Sequence, residues 1–470
     1  MTILIKNGTV ISSTGADPAD VLVDGEHIVA VLAPGSDLAV AAESGAERVI
    51  DATDLYVIPG GIDGHTHMEL PFGGTVASDD FESGTRAAAW GGTTTIVDFA
   101  VQSFGQSVRD TLEQWMGKAE GNCAIDYGFH QIIGDVTEQS LKDMDALVSE
   151  GISSFKLFMA YPGVFLSDDG QILRAMQQAA GNGSLIMMHA ENGLAIDVLA
   201  EQAVERGDIA PINHGYVRRQ ELEGEATHRA IQLAKVGAAP LYIVHLSASE
   251  ALEQVAIARG NGANVFAETC PQYLYFNVED HLGKPGFEGA AYVCSTPIRT
   301  KHEHHHEDLW KGLRTNDLCI VSTDHCPFCM KEQKELGVDD FRAIPNGIGG
   351  VEHRMDTIYQ GVVNGEITLP RWVELCSTTP ARMFGLYPRK GTIQPGADAD
   401  IVLYDPNAQW TISVDNHHMN IDHSAYEGMT IDGHVHTVMS RGRVIIENEQ
   451  YLGAKGDGQF LRRGLSQYLI

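Results

Sequence analysis

The sequence predicts an α/β protein in which a (β/α)8 barrel of the TIM type is joined to a small β-sandwich built from both termini. Eight apolar runs rich in Val, Ile and Phe recur through the middle of the chain, and helical periodicity separates most of them. Continuous apolar strands that alternate with helices are typical of a parallel sheet covered on both faces, and eight such units favour a barrel. No glycine-rich dinucleotide fingerprint follows an early strand, which disfavours an open Rossmann-type sheet.

The eight apolar runs are the predicted barrel strands. They lie at 56–58, 93–100, 124–133, 153–160, 184–189, 240–246, 263–269 and 318–323. Helical periodicity is found at 108–118, 141–149, 171–180, 226–236 and 248–259. The intervals before the sixth and eighth runs are long, so we expect those connections to carry inserts.

Both ends of the chain are rich in β signals. Asn7-Gly8 and Asp24-Gly25 lie between apolar runs and predict hairpins, and residues 398–404, 437–440 and 443–446 read as further short strands. Neither end alone has enough strands for a stable core. We therefore predict a composite sandwich from residues 1–55 and 390–450, a catalytic barrel at 56–389, and a tail at 451–470 that contributes to oligomer contacts.

Composition and charge exclude several classes of protein. The 470 residues are 43% hydrophobic and 20% charged, which is ordinary for a globular protein and excludes a disordered chain. The net charge of −31 disfavours nucleic acid and anionic lipid as partners. The start lacks a signal peptide pattern, and no stretch approaches about 18 uninterrupted apolar residues. Seven scattered cysteines suit a reducing compartment, so we expect a cytoplasmic protein.

Residues suited to metal chemistry gather where the predicted strands end. In a barrel of this type the active site lies at the carboxyl ends of the strands. A single such residue is more often structural, but their coincidence at one end of five strands predicts a metal centre. His65 and His67 are two residues apart, so on an extended strand they face the same side and can bind one ion. The full set is His65, His67, Lys156, His189, His245 and Asp324.

The number of ligands indicates two ions. Imidazole together with carboxylate favours zinc or a similar ion, and four histidines with one aspartate exceed the three protein ligands of an open catalytic zinc site. Two ions would use them all if an anion bridged the pair. A lysine carbamylated by CO2 would be such an anion. This inference follows from the need for a bridging anion and not from the spacing of the residues.

Several motifs around these residues resemble the dihydropyrimidinase/D-hydantoinase group of cyclic amidohydrolases. The resemblance spans nearly the whole chain, and the order of the motifs is highly specific. The matching segments are PGGIDGHTHMELPFGGT (59–75), FKLFMAY (155–161), HAEN (189–192), VHLS (244–247), STDHCPF (322–328), IPNGIGGVEHR (344–354) and GTIQPGADADIVLYDP (391–406).

The resemblance implies a binuclear centre, most simply of Zn²⁺. One ion would be held by His65, His67, Lys156 and Asp324, and the other by Lys156, His189 and His245. Lys156 would be the carbamylated bridge, an N6-carboxylysine, and a hydroxide shared by the two ions would be the nucleophile.

The resemblance also assigns roles around the substrate. Asp324 would act as general base and then general acid, and Tyr161 would stabilise the oxyanion. The main-chain groups of Ser295 and Asn346 would hold the cyclic amide, and Thr296 stands where the family more commonly has proline. The aromatic side chains expected to line the pocket for the exocyclic substituent are Phe72, Phe158 and Phe165.

The predicted function is the hydrolytic opening of a small cyclic diamide, a dihydropyrimidine or a 5-substituted hydantoin, to an N-carbamoyl amino acid. The alternatives are allantoinase, cyclic imidase or dihydroorotase activity, or a non-catalytic scaffold homologue; the complete ligand set disfavours the scaffold. In dihydroorotases an arginine follows the histidine pair by two residues, whereas this chain has Glu69 there, with Phe72 nearby. The family suggests a homotetramer.

Two other histidine-rich segments look like metal sites but lie away from the strand ends. They are 302–306 and His417-His418, and we interpret both as solvated loops, because contiguous histidines cannot all face one ion in a regular element. The pair Cys326 and Cys329 is interpreted as structural, since no second pair completes a four-cysteine zinc site.

Overall fold

The computed structural model of the chain describes residues 1–468 and separates them into a parallel barrel and a sheet formed by the two ends. The strands are β1 (Thr2–Ile11), β2 (Ala16–Asp24), β3 (His27–Leu32), β4 (Arg48–Asp51), β5 (Tyr56–Pro59), β6 (Gly61–Thr66), β7 (Pro71–Phe72), β8 (Thr75–Val76), β9 (Thr93–Val101), β10 (Asp126–Ile132), β11 (Ser154–Phe158), β12 (Leu185–His189), β13 (Leu241–Ile243), β14 (Val265–Thr269), β15 (Ile320–Val321), β16 (Ile401–Thr411), β17 (Thr430–Ser440), β18 (Arg443–Glu447) and β19 (Gln450–Tyr451).

Helices connect most of these strands. They are α1 (Asp37–Gly45), α2 (Phe81–Trp90), α3 (Val108–Ala119), α4 (Glu138–Ser149), α5 (Asp169–Asn182), α6 (Gly193–Glu205), α7 (Ile212–Val217), α8 (Gln220–Gly237), α9 (Ser249–Gly260), α10 (Pro271–Tyr275), α11 (His305–Thr315), α12 (Arg354–Val363), α13 (Leu369–Val373) and α14 (Thr379–Met383).

The barrel has eight strands, which pair in the order β15-β14-β13-β12-β11-β10-β9-β6. Every residue of β9, β10, β11 and β12 is buried, as expected for strands covered on both faces. The barrel is nearly closed between its first and last strands by a bridge from Thr66 to His325, where the His67 N–H donates to the His325 carbonyl at 2.8 Å. The predicted fold class is confirmed.

Several barrel helices begin with the capping box that their sequences encode. The side chains of Asp80, Thr137 and Asp168 each accept a hydrogen bond from the third residue of α2, α4 and α5, whose own side chain returns one. These reciprocal bonds satisfy main-chain N–H groups that have no partner inside the helix. The start of each of these helices is therefore set by local sequence.

The two ends of the chain share one sheet. It has nine strands, with β19-β18-β17-β16-β5-β1-β2-β3 in order and β4 paired to β1. A small apolar core of its own includes Ile3 and Val21 from one end and Ile401 and Met439 from the other. Burial of side chains contributed by both ends stabilises their association.

One predicted barrel strand belongs to this sheet instead. The run at 56–58 forms β5, which pairs with β1 and β16, and the first barrel strand is β6. The chain passes from one sheet to the other at Pro59 and Gly60, and the Gly60 N–H donates to the Asp400 carbonyl at 2.9 Å.

The predicted tail lies against the amino-terminal end of its own barrel. The Leu461 N–H donates to the Tyr127 carbonyl at 2.7 Å, and the Arg463 N–H donates to the Gly151 carbonyl at 3.1 Å. Residues 469 and 470 of the tail lie outside the described residues, and its role in oligomer contacts stays a prediction. Within residues 1–468, no helix combines the length and the apolar character needed to cross a membrane.

Candidate active site

A small cavity opens at the carboxyl end of the barrel strands. It brings together every predicted site residue except His65, which lies against the lining residues His67 and Lys156. The cavity is lined by His67, Leu70, Phe72, Ile132, Lys156, Phe158, Tyr161, Phe165, His189, His245, Ser295, Asp324, Cys326 and Asn346.

His65, His67 and Asp324 converge on one point. His65 lies near the end of β6 with His67 just beyond it, and their Nε2 atoms are 3.1 and 3.3 Å from Asp324 Oδ1. One ligand atom from each of the three lies within 4.8 Å of the others, and all three residues are buried. Two imidazoles and a carboxylate in this arrangement are suited to a divalent metal ion.

A buried carboxylate orients His65. Its Nδ1 lies 2.5 Å from Oε1 of Glu268 on β14, and the Tyr242 hydroxyl donates to Glu268 Oε2 at 2.7 Å. This partner directs the His65 Nε2 lone pair into the site, as carboxylates commonly do for metal-binding histidines. Glu268 was not predicted from the sequence, although a lone carboxylate within a predicted apolar strand was a usable signal.

Lys156 lies on β11, and no carboxylate of residues 1–468 forms an ion pair with it. Its Nζ is 2.9 Å from His65 Nε2, 4.4 Å from the centre of the Phe99 ring and 5.0 Å from that of Phe158. Burial lowers the pKa of Lys156 to about 8, although the nearby Asp324 opposes that shift. The amine is therefore closer to its neutral form than a surface lysine is.

His189 and His245 form the other side of the site. His189 Nδ1 and His245 Nε2 are 2.8 Å apart, and His189 Nε2 lies 2.8 Å from Glu191. Arg218 in turn donates to Glu191 at 2.7 Å. Burial would raise the pKa of Glu191, but Arg218 holds it well below its usual range, so a charged carboxylate orients His189. Arg218 was not predicted from the sequence, because no local pattern links it to Glu191.

Asp324 and His67 are in the protonation states that metal binding needs. Burial would raise the pKa of Asp324, but the neighbouring His65 and His67 hold it well below its usual range. Burial lowers the pKa of His67 to about 3, and its Nδ1 has no hydrogen-bond partner within residues 1–468. A neutral imidazole beside an ionised carboxylate is the donor set that a metal ion requires.

Aromatic side chains line one side of the cavity. Phe158 stacks on Phe165 with ring centres 4.9 Å apart and on His189 at 5.3 Å. Phe72 meets Tyr161 edge to face at 5.4 Å. Burial raises the pKa of Tyr161, so its hydroxyl keeps its proton and can donate a hydrogen bond.

Ser295 and Asn346 lie together at the cavity. The Asn346 side-chain amide donates to the Ser295 hydroxyl at 3.0 Å, and both residues line the cavity. They come from two loops that are far apart in sequence. A small polar ring in the cavity would meet both of them.

Two sequence interpretations need correction. Glu69 is not a lining residue of the cavity: its carboxylate pairs with Lys118 at 3.2 Å, while Leu70 and Phe72 line the wall nearby. The segment 302–306 is not wholly solvated, because His305 begins α11 and is 2% exposed. Its Nδ1 accepts a hydrogen bond from the N–H of Ser249 at 3.0 Å, which joins α11 to the start of α9.

Comparison with known proteins identifies the family. The model of the amidohydrolase family matches residues 56–445. This chain belongs to that family. A D-hydantoinase from Streptomyces coelicolor is 62% identical over 466 residues, covering 99% of each chain, and a D-hydantoinase from Geobacillus stearothermophilus is 48% identical, covering 98% of this chain and 97% of that one.

Solved structures of the family agree with this assignment. The crystal structure of dihydropyrimidinase from Brevibacillus agri NCHU1002 superposes with a TM-score of 0.95 at 46% identity, covering 99% of both chains. The resemblance predicted from the motifs is confirmed, and so is the prediction of an enzyme of the cyclic amide hydrolase class.

Proposed function

We propose that this enzyme opens dihydropyrimidines or 5-substituted hydantoins by hydrolysis and releases N-carbamoyl amino acids. One observation carries the proposal: metal-type donors and aromatic side chains line the same small cavity, and no arginine is among its lining residues. A neutral cyclic diamide with an apolar substituent suits such a surface. The D-hydantoinases and the dihydropyrimidinase that this chain resembles support the same substrate class.

The donor set fits two divalent ions, which we propose to be zinc. His65, His67 and Asp324 would hold one, His189 and His245 the other, and Lys156 carbamylated on Nζ would join them. The orientation of His65 by Glu268 and of His189 by Glu191 supports this assignment. When bound, the ions would lower the pKa of a shared water and polarise the ring carbonyl.

The side chains of the enzyme would then handle the proton and the ring. Asp324 accepts the proton of the attacking water and delivers it to the ring nitrogen that leaves. Tyr161 donates its hydroxyl hydrogen to the oxygen that becomes negative. The main-chain groups of Ser295 and Asn346 hold the ring amide, and Phe72 and Phe158 exclude water from it.

A larger cavity adjoins this one and would receive the exocyclic substituent. It shares Phe72, Tyr161 and Asn346 with the active-site cavity. A ring bound between Tyr161 and Asn346 could direct an aryl or alkyl group into this space. Both hydantoin and dihydropyrimidine rings would therefore be accommodated.

A substrate panel tests this proposal. Metal-replete enzyme should open dihydrouracil or a 5-substituted hydantoin and should leave dihydroorotate almost untouched. The active-site cavity has no lining arginine to pair with its ring carboxylate, and the arginines of the adjoining cavity, Arg218 and Arg342, are already paired with Glu191 and Asp340. Comparable kcat/KM for dihydroorotate would overturn the substrate class while leaving the metal chemistry standing. Absence of turnover on every ring would favour the scaffold alternative.

The general base can be tested in the same assay. Asp324→Asn keeps the shape of the side chain but removes the base, so kcat should fall by at least about 100-fold.

Tyr161→Phe should lower kcat with the metals still bound, and an effect on KM alone would exclude the oxyanion role.

We also propose a homotetramer located in the cytoplasm. The family resemblance supports the assembly, and the seven cysteines, all free of disulfides in the structure, support a reducing compartment. Sedimentation equilibrium gives the mass of the assembly directly, and a monomer at assay concentration would contradict the first of these proposals.

A further inference from the structure

A buried lysine lies behind the active-site cavity at the meeting point of two loops. Lys334 begins a short 3-10 helix, Lys334–Gly337, between β15 and α12, and its side chain is fully buried. Its Nζ donates to three main-chain carbonyls, those of Val293 at 3.0 Å, Pro345 at 2.9 Å and Gly347 at 2.8 Å. One side chain thus joins two segments that are distant in sequence.

Both segments reach the active-site cavity. Ser295 lies two residues after Val293, while Pro345 and Gly347 are the neighbours of Asn346. The Gly347 N–H also donates to the Val293 carbonyl at 2.9 Å, so the loops are joined by main-chain and side-chain bonds at the same place. The position of Lys334 therefore affects two of the residues that line the cavity.

Other carbonyls of the first loop already have partners. His214 donates to the Cys294 carbonyl at 2.8 Å, and the Tyr273 hydroxyl donates to the Thr296 carbonyl at 2.9 Å. Within residues 1–468, no group donates to the carbonyl of Ser295. That carbonyl remains available to a ligand N–H.

The second loop shows the same pattern. The carbonyls on both sides of Asn346 accept from Lys334, whereas the main-chain N–H of Asn346 has no partner in the part of the chain that the structure describes. A ring with adjacent N–H and C=O groups would satisfy both free groups at once. Within residues 1–468, the carbonyls on either side of Ser295 and Asn346 thus have donors, whereas the Ser295 carbonyl and the Asn346 N–H have no partner.

Burial of the Lys334 ammonium group costs free energy, which its bonds to the loops must offset. The Lys334 Nζ can donate to all three carbonyls only as the ammonium ion, because the neutral amine has only two N–H groups. Within residues 1–468 no carboxylate pairs with Lys334, and burial lowers its pKa to about 7, although the thiols of Cys294 and Cys326 oppose the shift. A methionine would fill similar space without that cost, so the benefit of lysine lies in the bonds to the loops.

We propose that Lys334 is a positioning residue that aligns the main-chain groups of Ser295 and Asn346 with the ring amide of the substrate. The inference rests on the proposed ring-opening function and deepens it, because it assigns a role to a side chain that does not touch the substrate. Lys334 acts through the two loops and has no contact with the metal-type donors.

The first test compares Lys334→Met with Lys331→Met, an exposed lysine three residues earlier on the same segment. In Lys334→Met, KM for a 5-substituted hydantoin should rise about tenfold, roughly the value of one net hydrogen bond, while metal content stays at the wild-type level. Lys331→Met should match the wild type in both. An unchanged KM in Lys334→Met would overturn the proposal.

The second test separates positioning from general support of the fold. The parent hydantoin is compared, as a competitive ligand, with the same ring methylated on the amide nitrogen, which cannot donate to the Ser295 carbonyl. The ratio of the two inhibition constants should be large in the wild type and should shrink several-fold in Lys334→Met, because the carbonyl is no longer aligned. A merely structural role would weaken both rings equally and leave the ratio unchanged.

Folding is checked by thermal unfolding and metal content. If Lys334→Met does not fold, Lys334→Gln, which keeps two donors, takes its place in both measurements. Failure of both variants to fold would overturn the positioning role, since the lysine would then be required for the fold. If the wild type opened no ring, the proposed function would fail. The ratio of inhibition constants would still test whether Lys334 aligns the two loops.

Discussion

Two buried lysines of this barrel lie in opposite electrostatic environments. Lys390, at the amino-terminal end of the strands, has its Nζ 2.7 Å from Asp126, 3.0 Å from Asp398 and 2.6 Å from Asp400. Burial would lower the pKa of Lys390, but these aspartates outweigh it and raise the pKa above the ordinary 10.5. This lysine is a permanent cation that joins the terminal sheet to the barrel.

Lys156, on the other hand, is surrounded by rings. Its Nζ contacts His65 and the rings of Phe99 and Phe158, and no carboxylate of residues 1–468 forms an ion pair with it. Burial lowers its pKa to about 8, and the more distant charges of Asp324 and Glu268 only partly oppose this shift. Only a neutral amine can add to CO2, so this environment favours carbamylation whereas that of Lys390 prevents it. The comparison shows that the neighbours of a buried lysine decide whether its pKa rises or falls.

The largest effect should come from removing Lys156. In Lys156→Ala the two proposed ions would lack their shared anion, so most of the metal should be lost and kcat/KM should fall by at least about 1,000-fold, more than removal of one oxyanion donor typically costs. Lys156→Arg should not restore activity, since guanidinium offers no acceptor. Metal analysis and steady-state kinetics measure both, and normal metal content with near-normal turnover would contradict the bridging role.

Removing Lys390 should instead affect stability. Lys390→Met leaves Asp400 buried without a cation, while Asp126 and Asp398 keep Arg441 and Arg389 as partners, so the free energy of unfolding should fall by about 3–5 kcal/mol. Because the folded pKa is raised above 10.5, the stabilising contribution is fully present below pH 10.5 and is lost only at higher pH. Turnover per folded, metal-loaded molecule should not change, and denaturant unfolding checks the stability.

The control for this prediction is Lys235→Met, which removes an exposed lysine near the end of α8. Its free energy of unfolding should stay within about 0.5 kcal/mol of the wild type. A similar small change for Lys390→Met would show that the three aspartates do not depend on the lysine, and the comparison would then fail.

Glu268 should have an intermediate effect through His65. Glu268→Gln keeps the size of the side chain but removes the charge that orients the imidazole, so metal affinity should fall by about 10–100-fold. Titration with a chelator measures this affinity. If the affinity were unchanged, the orientation of His65 would have to come from elsewhere in the barrel.

The smallest effect is expected at the exposed histidines. His302 and His304 have side chains 74% and 75% exposed, and replacing both with Gln should leave metal content and kcat unchanged. A loss of metal in this double variant would show that these exposed histidines bind a metal ion.

Much of the barrel could be predicted because its signal is local. Runs such as 184–189 and 263–269 read as strands from their composition, and β12 and β14 start within two residues of the predicted positions. The run at 56–58 was assigned to the wrong sheet because a short apolar segment does not reveal its distant partner. Its pairing with β16 is visible only in three dimensions.

The candidate site shows the same limit. His65 and Asp324 were predicted from their places at strand ends and from the family motifs, whereas Glu268 and Arg218 were missed. Their roles depend on contacts with side chains 203 and 27 residues away in sequence. No periodicity encodes such contacts, because they arise only when the strands close into a barrel.

The sheet shared by the two ends has a consequence for how the protein is made. β5 ends at Pro59, and its partner β16 begins only at Ile401. At roughly 5–20 residues per second, a ribosome needs about 20–70 s to synthesise the chain between them. During that time the amino-terminal strands leave the exit tunnel with an unpaired edge, which is the kind of surface that aggregates. A chaperone that covers nascent β-strands would therefore raise the yield of this enzyme more than one that acts on the finished chain.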